Sequence, residues 1–271
     1  DVANTRCSSD SRVHGPLKML WFRDTDFVMP NRHSRGPAPL VYKGSMIAEG
    51  INGIRATNIY NGQTLWEFPI EGILLPYHAE TQLGAAWCGS NICISEDRLY
   101  VHDRKTCLLI DMKDGKKLAE LSPPLRNDGK RGVWGFIACA GRTLFGTLVD
   151  EGYLVKSWSE KWDTSKLFTE SILLFAMDAQ TGEHKWSFTP GHSIRPSAIA
   201  IGDERVYLID RPPAPLEELS FNEDKARTEA KRMAALSGRS AEEEFSRLTK
   251  HKTGRLLALD AQTGKVVWEN N

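Results

Sequence analysis

No run of about 18 apolar residues occurs in the 271-residue chain, so the sequence holds no candidate transmembrane helix. Net charge is missing too, since 35 Lys and Arg offset 35 Asp and Glu. That balance gives no electrostatic footprint for nucleic acid or an anionic membrane and excludes a general polyanion binder. Cysteine is scarce. Cys7, Cys88, Cys93, Cys107 and Cys139 make an odd count and show none of the CxxC, CxxCH or adjacent-cysteine spacings of zinc, haem or redox sites. They read as small buried apolar residues, with at least one thiol free or paired outside the set. GxSxG, HExxH, P-loop and GxGxxG motifs are absent, which leaves hydrolase and nucleotide chemistry without a motif. The opening DVANTRCSSD (1–10) carries neither Met nor a signal-type apolar stretch and fits a trimmed, soluble piece.

What is present is a repeat. Four segments align: IRATNIYNGQTLWEF (54–68), CLLIDMKDGKKLAEL (107–121), LFAMDAQTGEHKWSF (174–188) and LLALDAQTGKVVWEN (256–270). Each reads as an alternating strand, a turn that begins with Asn or Asp and closes with Gly, and a second strand. Trp66, Trp186 and Trp268 each follow their Gly by the same interval, whereas the second copy has Ala119 there. Glycine supplies a left-handed turn conformation, and Asn58, Asp111, Asp178 and Asp260 can accept hydrogen bonds from turn amides. These acidic residues are therefore expected as turn formers. An EF-hand reading fails because the alternate ligands and closing Glu are missing.

Upstream of each copy lies another apolar pair: 39–50, 91–103, 135–148 and 197–210. Their central turn signals are Lys43-Gly44, Glu96-Asp97, Ala140-Gly141 and Gly202-Asp203. Four antiparallel strands per repeat predict an all-β fold, a β-propeller of four-stranded blades. The expected blades are 38–70, 91–121, 134–188 and 197–271, after an N-terminal segment 1–37. The spacing of the repeats grows beyond the ~40–50 residues of a lean blade, which predicts insertions at 149–170 and 211–253. The second is helical. Asn222 can cap a helix to Leu236 that aligns Ala226, Ala230 and Met233 and stops at Gly238. Ser240 and Glu243 form a capping box for a second helix carrying Phe245 and Leu248. This pair is expected to decorate the propeller's rim.

The pattern apolar-x-Ala-x-Asp-x-x-Thr-Gly-x-x-apolar-Trp resembles the repeat of pyrroloquinoline-quinone-type propellers, the quinoprotein alcohol dehydrogenase-like superfamily, over about residues 38–271. RHSRGPAPL (32–40), WCGSNICISEDRLYVHD (87–103) and GHSIRPSAIAIGDERVYLIDRP (191–212) are similar to large propeller proteins of planctomycete-type bacteria. The resemblance implies that Trp66, Trp186 and Trp268 dock blade on blade, that the setting is extracytoplasmic (periplasmic or cell-envelope), and that a full ring has seven or eight blades. On that basis LKMLWFRD (17–24) looks like the outer strand of a preceding blade. The chain then reads as part of a larger propeller, or as a half-ring completed by another chain or copy.

In this architecture the loops leading into the innermost strands are where ligands usually bind. They place Arg32, His33, Arg35, Trp87, Ser90, Asn91, Arg131, Trp134, His192, Ser193 and Arg195 near one rim. Guanidinium forks suit carboxylates, indoles suit stacking, and hydroxyls and amides orient a ligand. A planar quinone, another small anionic ligand or a sugar would each fit; the plainer alternative is that these groups tie adjacent blades together. His33 and His192 could serve as bases or as donors to backbone carbonyls. Asp103, Asp150 and Asp210 read as solvated turn residues. Two functions remain open. The first is a non-catalytic binding or scaffold module, without a resident cofactor or metal, that meets a protein partner, further blades or a small ligand. The second is a pyrroloquinoline-quinone- and calcium-dependent alcohol or sugar oxidoreductase, or a fragment of one. Against the second stand the missing vicinal cysteines, haem motif and acidic calcium cluster.

Overall fold

A computed structural model describes residues 18–22, 37–74, 90–126, 129–151, 169–212, 223–237, 240–250 and 254–270. Each predicted strand pair forms. The first unit holds β1 (Leu40–Tyr42), β2 (Ser45–Gly50), β3 (Gly53–Asn58) and β4 (Thr64–Pro69), and the second β5 (Ile92–Ser95), β6 (Arg98–His102), β7 (Cys107–Asp111) and β8 (Lys117–Leu121). The third holds β9 (Trp134–Ala140), β10 (Thr143–Val149), β11 (Ser171–Asp178) and β12 (His184–Phe188). The fourth holds β13 (Ser193–Gly202), β14 (Arg205–Arg211), β15 (Arg255–Asp260) and β16 (Val266–Asn270). All pairings are antiparallel between sequence neighbours, and one further pairing, Ser171 with Ile194, joins the third and fourth sheets.

Two turns sit one residue later than expected. Ala140 pairs with Thr143 and Gly202 with Arg205, so the turns are Gly141-Arg142 and Asp203-Glu204. At the latter both residues are left-handed, with φ of 50° and 59°, as are Glu96 and Asp97 with 49° and 61°. Paired left-handed residues match the twist of a tight hairpin.

The core lies between sheets. Ile47, Ile54 and Trp66 of blade 1 pack with Ile92, Leu99 and Ile110 of blade 2. Tyr100, Leu109 and Leu121 meet Trp134, Leu144 and Phe175 of blade 3, and Phe145, Leu174 and Trp186 meet Val206, Leu208 and Leu257 of blade 4. Sheets stacked face to face and burying one another's alternating residues are the blades of an all-β propeller.

A repeated lock joins them. The Trp66 indole donates to the Met112 carbonyl at 2.9 Å and covers Gly115, where a Cβ would lie 2.7 Å from the ring. Trp186 repeats this on Ala261 at 3.0 Å and on Gly264. So does Trp21, which donates to Ile59 at 2.8 Å and covers Gly62. Residue 21 therefore takes the place that Trp66 and Trp186 take at the later junctions.

Each Trp stands opposite an alanine: Ala56 faces Trp66, Ala176 faces Trp186 and Ala258 faces Trp268. In blade 2 the volumes are exchanged. Leu109 faces Ala119, and Leu121 covers Gly182 instead. Trp268 has no such partner among the described residues and is 42% exposed, against 7% for Trp66 and Trp186.

The turn carboxylates behave as expected. Asp178 Oδ1 accepts from the Gln180 and Thr181 amides, and Asp260 Oδ1 from those of Gln262 and Thr263. The amide of each turn glycine donates to the carbonyl of its Asn or Asp.

Between β14 and β15 the chain forms α1 (Glu223–Ser237) and α2 (Ala241–Lys250). The Ser240 capping box closes reciprocally: the Ser240 amide donates to Glu243 Oε2 at 2.8 Å, and the Glu243 amide to Ser240 Oγ at 3.2 Å. Ala230 and Leu248 are buried between the helices with Met233 and Phe245 beside them. Asn222, Gly238 and most of the 149–170 insertion lie outside the described residues. No described helix is long and apolar enough to cross a membrane.

Candidate functional site

The start of the first strand and the end of the second meet at one end of every blade, because the two are antiparallel. Ser90 and Asn91 precede β5, Trp134 opens β9, and His192, Ser193 and Arg195 surround the start of β13. Arg131 is exposed on a short bridge with Leu125. Arg32, His33, Arg35 and Trp87 lie outside the described residues.

The structure divides the described candidates into two groups. Around blades 3 and 4, Arg195 Nε donates to Glu170 Oε1 at 2.9 Å and Ser193 Oγ to Glu170 Oε2 at 2.6 Å. Glu170 and Ser193 are buried, and only 11% of the Arg195 side chain is exposed. The residues expected in a loop thus belong to a strand, and the guanidinium expected for an anionic ligand faces a carboxylate of its own chain. Beside them, Asp210 is buried rather than solvated, which corrects the sequence expectation. Its oxygens accept from the Gly191 amide at 2.7 Å, the His192 amide at 2.8 Å and Arg255 at 2.8 Å. Burial opposes ionisation, but His192, Arg255 and the two amides outweigh it and hold this carboxyl well below the usual carboxylate range. His192 Nδ1 lies 3.6 Å from the same carboxylate, so its neighbour is an acid as well as backbone.

Ser193→Ala removes one hydrogen bond from the buried Glu170. A bond to a charged group contributes about 1.5–3 kcal/mol. The expected loss in urea unfolding is about 2 kcal/mol; a loss near zero would show Glu170 to be solvated.

The second group spans blades 1 to 3. Asn91 Nδ2 donates to Glu49 Oε1 at 3.1 Å, and the His102 ring stacks on Trp134 with centroids 5.8 Å apart and planes at 16°. Phe175 meets the Trp134 ring edge-on at 5.1 Å, and Gly146 leaves the room it occupies. Trp134, expected as a stacking platform, is instead enclosed in the core. Ser90 Oγ lies 3.0 Å from the Ile92 carbonyl and caps the start of β5.

Burial also pushes up the thiols of Cys93, Cys107 and Cys139, the last to about 11. The three are free and behave as small apolar residues. Cys7 and Cys88 lie outside the described residues.

Sequence reasoning misses Glu49, His102 and Glu170 and places Asp210 in a solvated turn. Two of them carried a signal in their strand parity. Ile47 and Glu49 share one buried face of β2, and Val206, Leu208 and Asp210 share one of β14. An acid that keeps step with an apolar face is placed toward the core.

Among the described residues Arg195 faces Glu170, Trp134 is covered by His102 and Phe175, and no group of three His, Cys, Asp or Glu suited to a metal ion occurs.

The sequence matches no family model and no curated protein. Among solved structures it is similar to the quinohemoprotein alcohol dehydrogenase ADHIIG of Pseudomonas putida HK5, with TM-score 0.53 and 12% identity over 90% of this chain. It is equally similar to the quinohemoprotein alcohol dehydrogenase of Comamonas testosteroni, with TM-score 0.53 and 13% identity over 90% of this chain. The match takes up 35% of each of those chains, so this chain spans about a third of their length. The class that fold and blades define is the β-propeller. Within it, the fold is similar to that of the quinohemoprotein alcohol dehydrogenases.

Proposed function

We propose that this chain is a non-catalytic binding and scaffold module built on quinoprotein-like blades, working in an extracytoplasmic setting without a resident quinone. It presents the strand-end rim of its blades to a ligand or protein partner. Blade 4, with Val266, Val267 and Trp268 exposed, takes up further blades or a partner that offers a turn glycine.

One observation carries the reading. The charged side chains at the rim of blades 3 and 4 face one another, Arg195 to Glu170 and Arg255 to Asp210. Ion pairs on buried carboxylates of this kind fix an architecture and engage those carboxylates within the chain. The likeness to quinohemoprotein dehydrogenases supports the fold, and fold alone does not supply activity.

The test is reconstitution of the 271-residue chain with pyrroloquinoline quinone and calcium, followed by quinone binding and dye-linked alcohol oxidation. Neither is expected. Saturable quinone binding accompanied by dye reduction would overturn the non-catalytic reading.

A further inference from the structure

Cys93 lies on β5 and Cys139 on β9, the first strands of blades 2 and 3. These two strands run side by side in the same direction. At their starts the His102 amide donates to the Asn91 carbonyl at 3.0 Å, the His102 ring stacks on Trp134, and the Trp134 amide donates to the Arg104 carbonyl at 2.9 Å. At their ends Ser95 Oγ donates to the Gly141 carbonyl at 3.1 Å. Cα atoms of the two strands come within 8 Å of one another, whereas sheets packed face to face ordinarily lie ~10 Å apart. Cys93 precedes Ser95 by the same two residues by which Cys139 precedes Gly141. The parallel run therefore brings the two cysteines level across the junction.

The side chains agree with the backbone. Cys93 stands directly across from Tyr100 of β6 and shares a face with Ser95, two residues along its own strand. Both of those neighbours hydrogen-bond the Cys139 thiol. Cys93 and Cys139 pack against one core cluster, that of Tyr100, Leu144 and Phe175, and each is partly exposed at its edge. Cys107 is the third thiol of this region and is fully buried. It lies on β7, two strands from β5 in the same sheet. At ~4.8 Å per strand its Cα is about 10 Å from that of Cys93, beyond the ~7 Å that a disulfide spans.

We infer that Cys93 and Cys139 are a redox pair, which a small disulfide oxidant converts into a covalent staple between blades 2 and 3. Cys139 leads, because Ser95, Lys185 and Tyr100 oppose the burial that pushes its thiol up to about 11, whereas burial drives that of Cys93 well up with no such opposition. The Cys139 thiolate attacks one sulfur of the oxidant, whose S–S bond breaks and releases one thiolate. The Cys93 thiolate then attacks the Cys139 sulfur of the mixed disulfide and expels the second. The two protein sulfurs are oxidised, the oxidant is reduced to two thiols, and these take up the two protons. The supply of such an oxidant to the protein at work rests on the extracytoplasmic setting proposed above; the pairing itself does not.

The folded, full chain is incubated with oxidised glutathione at about pH 9, which raises the thiolate fraction. Remaining thiols are then alkylated in denaturant and the chain is digested without reduction. Mass spectrometry is expected to find one peptide pair joined through Cys93 and Cys139, released by reductant, with Cys107 recovered as the alkylated thiol. The oxidised protein is expected to unfold at a urea midpoint higher by roughly 1 M than the reduced one. Cys139→Ser forms no such pair and shows no shift with oxidant. Recovery of Cys93 and Cys139 as alkylated thiols overturns the inference, and so does a link from either of them to Cys7, Cys88 or Cys107. Glutathione that stays on Cys139 without passing the bond to Cys93 overturns it as well, since the two sulfurs then do not meet. Because the oxidant is supplied in the tube, each of these failures leaves the extracytoplasmic and module readings standing.

Discussion

Gly115→Ala is expected to lower the unfolding free energy by about 3–5 kcal/mol, and Gly141→Ala by only about 1 kcal/mol. Both glycines have positive φ, 72° at Gly115 and 55° at Gly141, so both substitutions meet the same backbone strain. Their surroundings differ. At Gly141 an added Cβ finds nothing within 4 Å, while at Gly115 it lies 2.7 Å from the Trp66 ring. The ring cannot stay. Moving it breaks the bond from its indole nitrogen to the Met112 carbonyl and opens the packing against Ile54 and Ile110. A buried, unpaired indole costs about 1–3 kcal/mol and the overpacking about as much again. Urea unfolding of both variants measures the difference directly. Equal losses would show that the glycine serves its turn and not the lock.

The second large effect is a pH dependence. Glu49 has a folded pKa of about 8 against the ordinary 4.5, through burial. Between those values the unfolded chain releases this proton and the folded one retains it. The folded state then binds more protons, so its stability falls as pH rises from about 4.5 to 8 and levels off above. At about 1.4 kcal/mol per pH unit the loss is on the order of 5 kcal/mol. Glu49→Gln removes that slope and is the more stable protein near pH 8. The check is the unfolding free energy of both proteins across this interval. Parallel curves would mean that Glu49 ionises freely in the folded state. Asp210 works in the opposite direction, since its depressed pKa contributes stability above the ordinary carboxylate range, lost as pH falls through the folded value.

The blades were legible because their determinants are local. An alternating strand, a turn carboxylate and a left-handed glycine within fifteen residues or so carry a hairpin's instructions without help from distant parts. The exchange of Ala119 for Trp was legible as an exception, but its compensation was not. That Leu109 grows where Ala119 shrinks, and that Leu121 covers Gly182, depends on pairing and stacking across a junction. The site was less legible for a similar reason. Ser193 and Arg195 were found, yet their partner Glu170 precedes a different strand, beyond an insertion. Residue type identified the groups able to bind a ligand, whereas which of them are already engaged is a property of tertiary structure. Trp134 shows this most simply: its position at a strand start suggested an open ring, and the ring is covered by His102 and Phe175.

The lock is directional, because each tryptophan reaches forward to the turn of the next blade. Gly62, Gly115, Gly182 and Gly264 are covered in turn by Trp21, Trp66, Leu121 and Trp186, so the four junctions share one polarity. A substitution in any of these turns therefore weakens the contact with the segment that comes before it, and leaves the one that comes after it to its own tryptophan or leucine.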